Sequence, residues 1–221
     1  MSNQQHLPRP PAEDSAGAVG NLAELPLDAV GDATLVTALL KGNERAAGIV
    51  WQRYAQVVRR ALKRSLGPDQ EIEDLLHDVF IEFVKSAAKL DELNNLRSYL
   101  ISIAYRRAGM EIRKRKVRRL VTLTATGSLP DVPSRHGSPD EIRALRALYA
   151  ILDTLSARDR LVFVARHVEG MQLDETAAAL RISQATAWRA SKATLERVMS
   201  KAQRDPALAA YVELWLKGKE K

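Results

Sequence analysis

The chain has 221 residues, no cysteine, and 34 Lys+Arg against 27 Asp+Glu, a formal net charge of +7. Without cysteine, disulfides, thiolate zinc sites, iron–sulfur ligation and thiol nucleophiles are excluded together. No apolar run approaches the roughly 20 residues of a membrane-spanning helix. The first thirty residues lack the basic start and apolar core of a secretory signal. The expectation is a soluble cytoplasmic protein with no membrane partner.

In chain order, residues 1–31 hold four of the nine prolines (Pro8, Pro10, Pro11, Pro26) in an Ala/Pro/Gly-rich stretch without periodicity. They read as a disordered N-terminal extension. Asp32 is expected to cap a short helix carrying Leu35, Val36, Leu39 and Leu40. Asn43 caps a second, from about Glu44 to Leu66, that buries Ala47, Val50, Trp51, Tyr54, Val58, Ala61 and Leu62 and is stopped by Gly67-Pro68. In 72–83, Ile72, Leu75, Leu76, Val79, Phe80 and Phe83 fall at the offsets of a helix face. A fourth helix is expected from about Leu96 to Arg119, with Leu100, Ile103 and Ala104 inward. Residues 120–139, with Pro130, Pro133 and Pro139, read as a flexible linker.

Ser138-Pro139-Asp140-Glu141 has the form of a capping box with proline at the first helical position. Leu145, Leu148, Ile151, Leu152 and Leu155 follow at helical spacing. Ser156 opens a helix over Ala157–Glu169 that Gly170 stops. The segments 172–180 and 184–199, the second entered through Ser183, have helix-turn-helix proportions. Residues 202–221 form a C-terminal tail with a short amphipathic helix over Pro206–Leu216. The fold expected is all-α, with two small helical domains at 32–119 and 140–201.

Charge is unevenly placed along this chain. Residues 106–119 carry eight Arg/Lys and one Glu, while 71–92 hold seven acids and two lysines. Cations so dense repel unless an external anion offsets them, and phosphates do so with counterion release as the driving term. Nucleic acid is the first candidate partner for that block. The alternatives are a solvated charge run, an anionic membrane or another acidic partner. Glu73, Asp74, His77, Asp78 and Glu82 lie opposite the apolar stripe of 72–83. With no second His/carboxylate cluster to complete a metal site, they form either a solvated face or a docking face for a basic protein.

The outward N-terminal positions of the last helix are Gln184, Ala185, Thr186, Trp188, Arg189 and Lys192. Gln and Arg suit base edges, and Lys and Thr suit phosphate, although an ordinary helical hairpin shows the same spacing. There is no nucleophilic triad, glycine-rich phosphate loop or HExxH pattern. No cofactor is expected, and nothing in the pattern points to an enzyme.

The string EDLLHDVFIEF (73–83), followed by LRSYLISIAYRRAGMEIRKRKVRR (96–119), resembles region 2 of bacterial RNA polymerase sigma factors. LDTLSARDRLVFVARHVEGMQLDETAAALRISQATAWRASKATLERV (152–198) resembles region 4. Two such regions on a short linker, without a larger middle domain, resemble the extracytoplasmic-function group. The resemblance implies a factor that binds core RNA polymerase and directs promoter recognition, DNA melting and transcription initiation, with an anti-sigma factor as a further partner.

Residue by residue, the resemblance implies that the 71–83 helix docks on the polymerase clamp coiled coil through Glu73, Asp74, Leu75, His77, Asp78 and Glu82. It implies that the loop at Asp91–Arg97 captures a flipped base of the minus-ten element through Asn94 and Asn95. The helix over 98–115 would follow the non-template strand with Tyr99, Tyr105, Arg106, Arg107, Met110, Arg113 and Lys114. Gln184, Ala185, Thr186, Trp188, Arg189 and Lys192 would enter the major groove at the minus-thirty-five element. Two positions depart from the family pattern: Arg181 stands where glycine is usual in the turn, and Trp188 and Ala190 stand where a basic residue is common. Two other readings fit the residues alone: a stand-alone helix-turn-helix repressor or activator, and a helical adaptor that binds proteins.

Overall fold

The computed structural model describes residues 30–67, 71–87, 95–123 and 138–213. The expectations for the N-terminal extension, for most of the linker, for Pro68 and Asn94, and for the end of the tail lie outside the described residues. Every regular element among the described residues is helical.

The first unit is built from α1 (Asp32–Leu40), α2 (Glu44–Leu66), α3 (Ile72–Ala87) and α4 (Leu96–Leu123). Asp32 is not the cap of α1. Gly31 occupies that position and Asp32 is the first helical residue. Its carboxylate is spent on tertiary bonds. Oδ1 accepts from the Tyr54 hydroxyl at 2.7 Å and from Arg53 Nη1 at 3.2 Å, and Oδ2 accepts from the Leu96 amide at 3.2 Å. One acid therefore ties α1 and α2 to the N-terminus of α4, where amides lack helical partners. Asn43 caps α2 as expected, its side chain accepting from the amides of Arg45 and Ala46. Leu76, Val79 and Phe83 of α3 and Leu100, Ile103 and Ala104 of α4 are buried against Val50, Val58 and Leu62 of α2 in one apolar cluster. Helix α4 runs four residues past the expected end at Arg119.

The second unit comprises α5 (Pro139–Asp153), α6 (Ala157–Phe163), α7 (Leu173–Leu180) and α8 (Gln184–Ala202). The Ser138 capping box forms with both of its bonds. The helix expected over 157–169 is not uniform, because it widens into a π turn at Val164–Val168. Arg181 closes α7 in the left-handed region at φ 53°. Ser183 caps α8, accepting from the Thr186 amide at 3.2 Å. Leu208 and Val212 are buried with Ala144, Leu152 and Val198, so the described part of the tail packs on this unit.

The two units touch. Leu161 and Ala165, from α6 and the π turn, and Ala179 from α7 belong to the apolar cluster of the first unit. Among the described residues no helix is long and apolar enough to cross a membrane.

Candidate nucleic-acid interface

Helix α4 has two faces with different fates. Ile101, Tyr105, Ala108 and Ile112 are buried at helical spacing. On the solvent side Met110, Arg113, Lys114 and Val117 are exposed at offsets of three, four and seven, which stacks them in one stripe. Val117 is 61% exposed, the most of any large apolar side chain described. Sequence reading passed over it, although its seven-residue distance from Met110 was the available signal. Among the described residues Arg113 has no ion pair, and Lys114 reaches only Glu111, at 3.7 Å. The stripe sets apolar surface beside exposed cations, the combination on which unstacked bases and their phosphates both find partners.

The other region 2 candidates are spread more widely. Asn95 is exposed, and its Oδ1 accepts from the Ser98 amide at 2.9 Å, so it caps α4 as well as flanking the loop. Tyr99 is half-buried, edge-on to Phe83, and donates its hydroxyl to Ser86 Oγ at 3.0 Å. Tyr105 lies elsewhere than its expected role requires. It is 1% exposed, its hydroxyl facing Met171 Sδ at 3.6 Å, and burial pushes its phenol well above the ordinary value.

The acids of α3 and the cations of α4, expected to face different partners, partly face each other. Arg107 donates Nε to Glu82 Oε2 at 2.7 Å and Nη1 to Asp78 Oδ2 at 3.3 Å, and Arg106 reaches Glu82 Oε1 at 3.2 Å. Glu73 accepts from Nε and Nη2 of Arg59, at 2.7 and 2.9 Å, and that pairing holds its carboxyl below the usual range. These pairs are partly open to water, where such contacts are worth about 1 kcal/mol or less. They orient the side chains without committing them. Asp74 is exposed with no ion pair among the described residues, Leu75 is half-buried, and the His77 ring stacks on Trp51 at 5.1 Å. Beside them Ile81 and Val84 are both about half exposed, an apolar pair outside the buried stripe that sequence reading did not single out.

At the start of α8, Ala187, Ala190, Thr194 and Val198 face inward. Gln184, Ala185, Trp188, Arg189 and Lys192 are exposed, with Thr186 half-buried against Ser183 Oγ at 2.8 Å. Trp188 is 57% exposed, and Lys192 Nζ lies 6.0 Å from its ring centre. The indole thus projects into solvent beside the Lys192 ammonium. Behind the helix, His167 Nε2 and Ser191 Oγ are 3.1 Å apart, which fastens the π turn to α8. Among the described residues no three His, Asp or Glu side chains gather as metal ligands would.

Both helical units resemble known proteins. The family model for sigma-70 region 2 matches residues 50–118, and the model for sigma-70, region 4 matches residues 145–195. The ECF RNA polymerase sigma factor SigX of Bacillus subtilis (strain 168) is 28% identical over 146 residues, covering 64% of this chain and 75% of that protein. Two solved structures share the fold. CnrH in complex with the cytosolic domain of CnrY aligns at TM-score 0.58 and 19% identity, over 79% of this chain and 98% of that one. The sigma factor RpoE in complex with the anti-sigma factor NepR, from Bartonella quintana, aligns at TM-score 0.53 and 18% identity, over 70% and 95%. The two family matches together span more than half of the sequence in the order the family requires, and the chain belongs to the sigma-70 family, among its extracytoplasmic-function sigma factors.

Proposed function

We infer that this chain docks on core RNA polymerase through the outer face of α3, holds melted promoter DNA along the outer stripe of α4, and reads duplex with the first turns of α8. The stripe of Met110, Arg113, Lys114 and Val117 carries the inference, because a single-stranded segment needs apolar platforms and backbone cations side by side. On α3, Asp74, Leu75, His77 and Asp78, with Ile81 and Val84 beside them, offer a mixed acidic and apolar surface suited to a basic protein partner. Capture of a flipped base is assigned to Asn94 and Asn95, which precede α4 in the sequence. Gln184, Arg189 and Lys192 supply the donors that suit guanine, adenine and phosphate in a major groove, with Trp188 as an apolar contact.

The region 2 unit is assigned to 32–119 and the region 4 unit to 140–201. In this reading the chain performs no covalent chemistry; the polymerase makes every bond. It acts in the cytoplasm, where the polymerase is. The RpoE structure is of a complex with the anti-sigma factor NepR, which supports a sequestering regulator for this chain as well. The test is transcription with purified core polymerase on a library of genomic fragments. Adding the chain should create defined start sites that core enzyme alone does not produce. Unchanged core-only background would overturn the reading.

A further inference from the structure

Helix α8 is held from behind, which fixes what its outer face presents. Ala187, Ala190, Ser191, Thr194 and Val198 are buried, and Ser191 Oγ meets His167 Nε2 at 3.1 Å. Thr186 shares its hydroxyl with the Ser183 cap at 2.8 Å. The side chains left for a ligand at this end are Gln184, Ala185, Trp188, Arg189 and Lys192, all exposed. At helical spacing Gln184, Ala185 and Lys192 fall within about 60° of Trp188 around the axis, so the indole stands at the middle of the face. Arg189 lies about 100° round from it. The Arg189 Nε donates to Ala185 O at 3.3 Å, which draws that side chain back along the helix.

The Trp188 indole is 57% exposed, so the core of its unit does not account for it. Residues 176–195 contain Arg181, Arg189 and Lys192 and no acid, which makes the surroundings complementary to phosphate. An indole has one N–H donor and no acceptor. It cannot form the paired bonds by which Arg or Lys takes guanine O6 and N7, or those by which Asn or Gln takes adenine. Its broad apolar surface matches a different feature of the major groove, the C5 methyl of thymine. Covering that methyl removes apolar surface from water, and a pyrimidine without it offers less to cover.

We propose that Trp188 determines specificity in the duplex-reading helix: its indole selects a C5-methylated pyrimidine, thymine in ordinary DNA, at one position of the minus-thirty-five element, instead of the guanine that a basic side chain would select there. This rests on the reading of α8 as the duplex-binding helix of a sigma factor. Gln184, one turn before, and Lys192, one turn after, then bracket the methyl contact, the first at a base edge and the second toward phosphate. The Lys192 ammonium, 6.0 Å from the ring centre, lies within cation–π reach and steadies the indole. The selection comes from apolar contact, so it persists as salt rises while the phosphate contacts weaken.

The experiment uses holoenzyme assembled from the full chain and core polymerase, on a promoter fragment taken from the start sites it produces. Each thymine of the minus-thirty-five segment, on either strand, is replaced in turn by deoxyuridine, which keeps the base pairing and lacks only the methyl. Fluorescence anisotropy of the labelled fragment reads binding. Uracil at one position should weaken binding about fourfold, as expected for one uncovered methyl-sized group. With a cytosine at that position, 5-methylcytosine should restore what plain cytosine loses. Trp188→Ala should bind the thymine and uracil forms alike, with holoenzyme assembly and helical circular dichroism unchanged. Trp188→Arg should prefer guanine there, and it carries the comparison if Trp188→Ala loses helix. Uracil tolerated throughout the segment would overturn the proposal. So would a methyl dependence that both variants retain, or a Trp188→Ala defect confined to assembly with core enzyme. If no start site forms, the sigma-factor reading fails, and a duplex selected by the full chain alone from a random-sequence library carries the same base series.

Discussion

Arg107 on α4 and Glu82 on α3 share a hydrogen bond of 2.7 Å, which joins the helix assigned to DNA to the helix assigned to the polymerase. Asp74, just over two turns away on α3, is exposed and has no ion pair among the described residues. The two acids should therefore respond differently. Asp74→Lys should leave thermal stability unchanged and weaken binding to core polymerase about tenfold, or 1.4 kcal/mol, through like-charge contact with a basic partner. Glu82→Ala should cost up to about 1 kcal/mol in denaturant unfolding, because it strips a partly exposed ion pair from Arg106 and Arg107. Fluorescence anisotropy with labelled chain and core enzyme reads the first effect, and urea titration the second.

The α4 stripe predicts two kinds of DNA defect. Arg113→Ala and Lys114→Ala should each reduce the log–log salt slope for single-stranded binding by about 0.7, the value for one lost phosphate contact. Met110→Ala and Val117→Ala should weaken binding by about 1 kcal/mol with the slope unchanged, because they remove stacking surface and no charge. Titration of an oligonucleotide at several salt concentrations separates the two.

Arg181 adopts φ 53° and ψ 48° in the turn before the recognition helix, where a Cβ is unfavourable. Arg181→Gly removes a strain of about 1–2 kcal/mol and adds unfolded-chain entropy worth about 0.5–1 kcal/mol. The net expectation is a stabilisation of about 0.5–1 kcal/mol, measured by the urea midpoint, with duplex binding retained. A destabilised variant would mean that the arginine side chain supplies a contact larger than the strain.

Much of this was legible in the sequence because it is local. The stripe of α3, the caps Asn43, Ser138 and Ser183, and the turn at Arg181 all depend on neighbours within a few residues. Asp32 was misplaced by one position because its acceptors serve Tyr54 and Leu96, 22 and 64 residues away. Tyr105 stood among the strand contacts only through the family resemblance, which matches positions and carries no information on burial. The offsets of Ile101, Tyr105, Ala108 and Ile112 already described a second apolar face. Arg160 left no such trace: its bond to a carbonyl 95 residues earlier in the chain has no counterpart in spacing or composition.

Alkaline pH should destabilise the fold through its buried phenols. Burial raises the pKa of Tyr105 above its ordinary 10.0, and Tyr54 and Tyr149 shift the same way for the same leading cause. The folded state then holds these protons more tightly than the unfolded chain. Their contribution is complete below about pH 10 and is lost as pH rises through the folded-state values. The thermal midpoint should be insensitive to these groups through neutral pH and fall above about 10. Tyr105→Phe should make that fall shallower, as calorimetry across the range would show.

Permanganate probing of unpaired thymines in a polymerase–promoter complex tests the division of labour between α3 and α4 most directly. With wild-type chain the minus-ten region should become reactive. With Arg113→Glu and Lys114→Glu combined, reactivity should vanish while the chain still co-elutes with core enzyme. Full reactivity in that double variant, or loss of polymerase binding along with it, would contradict the account.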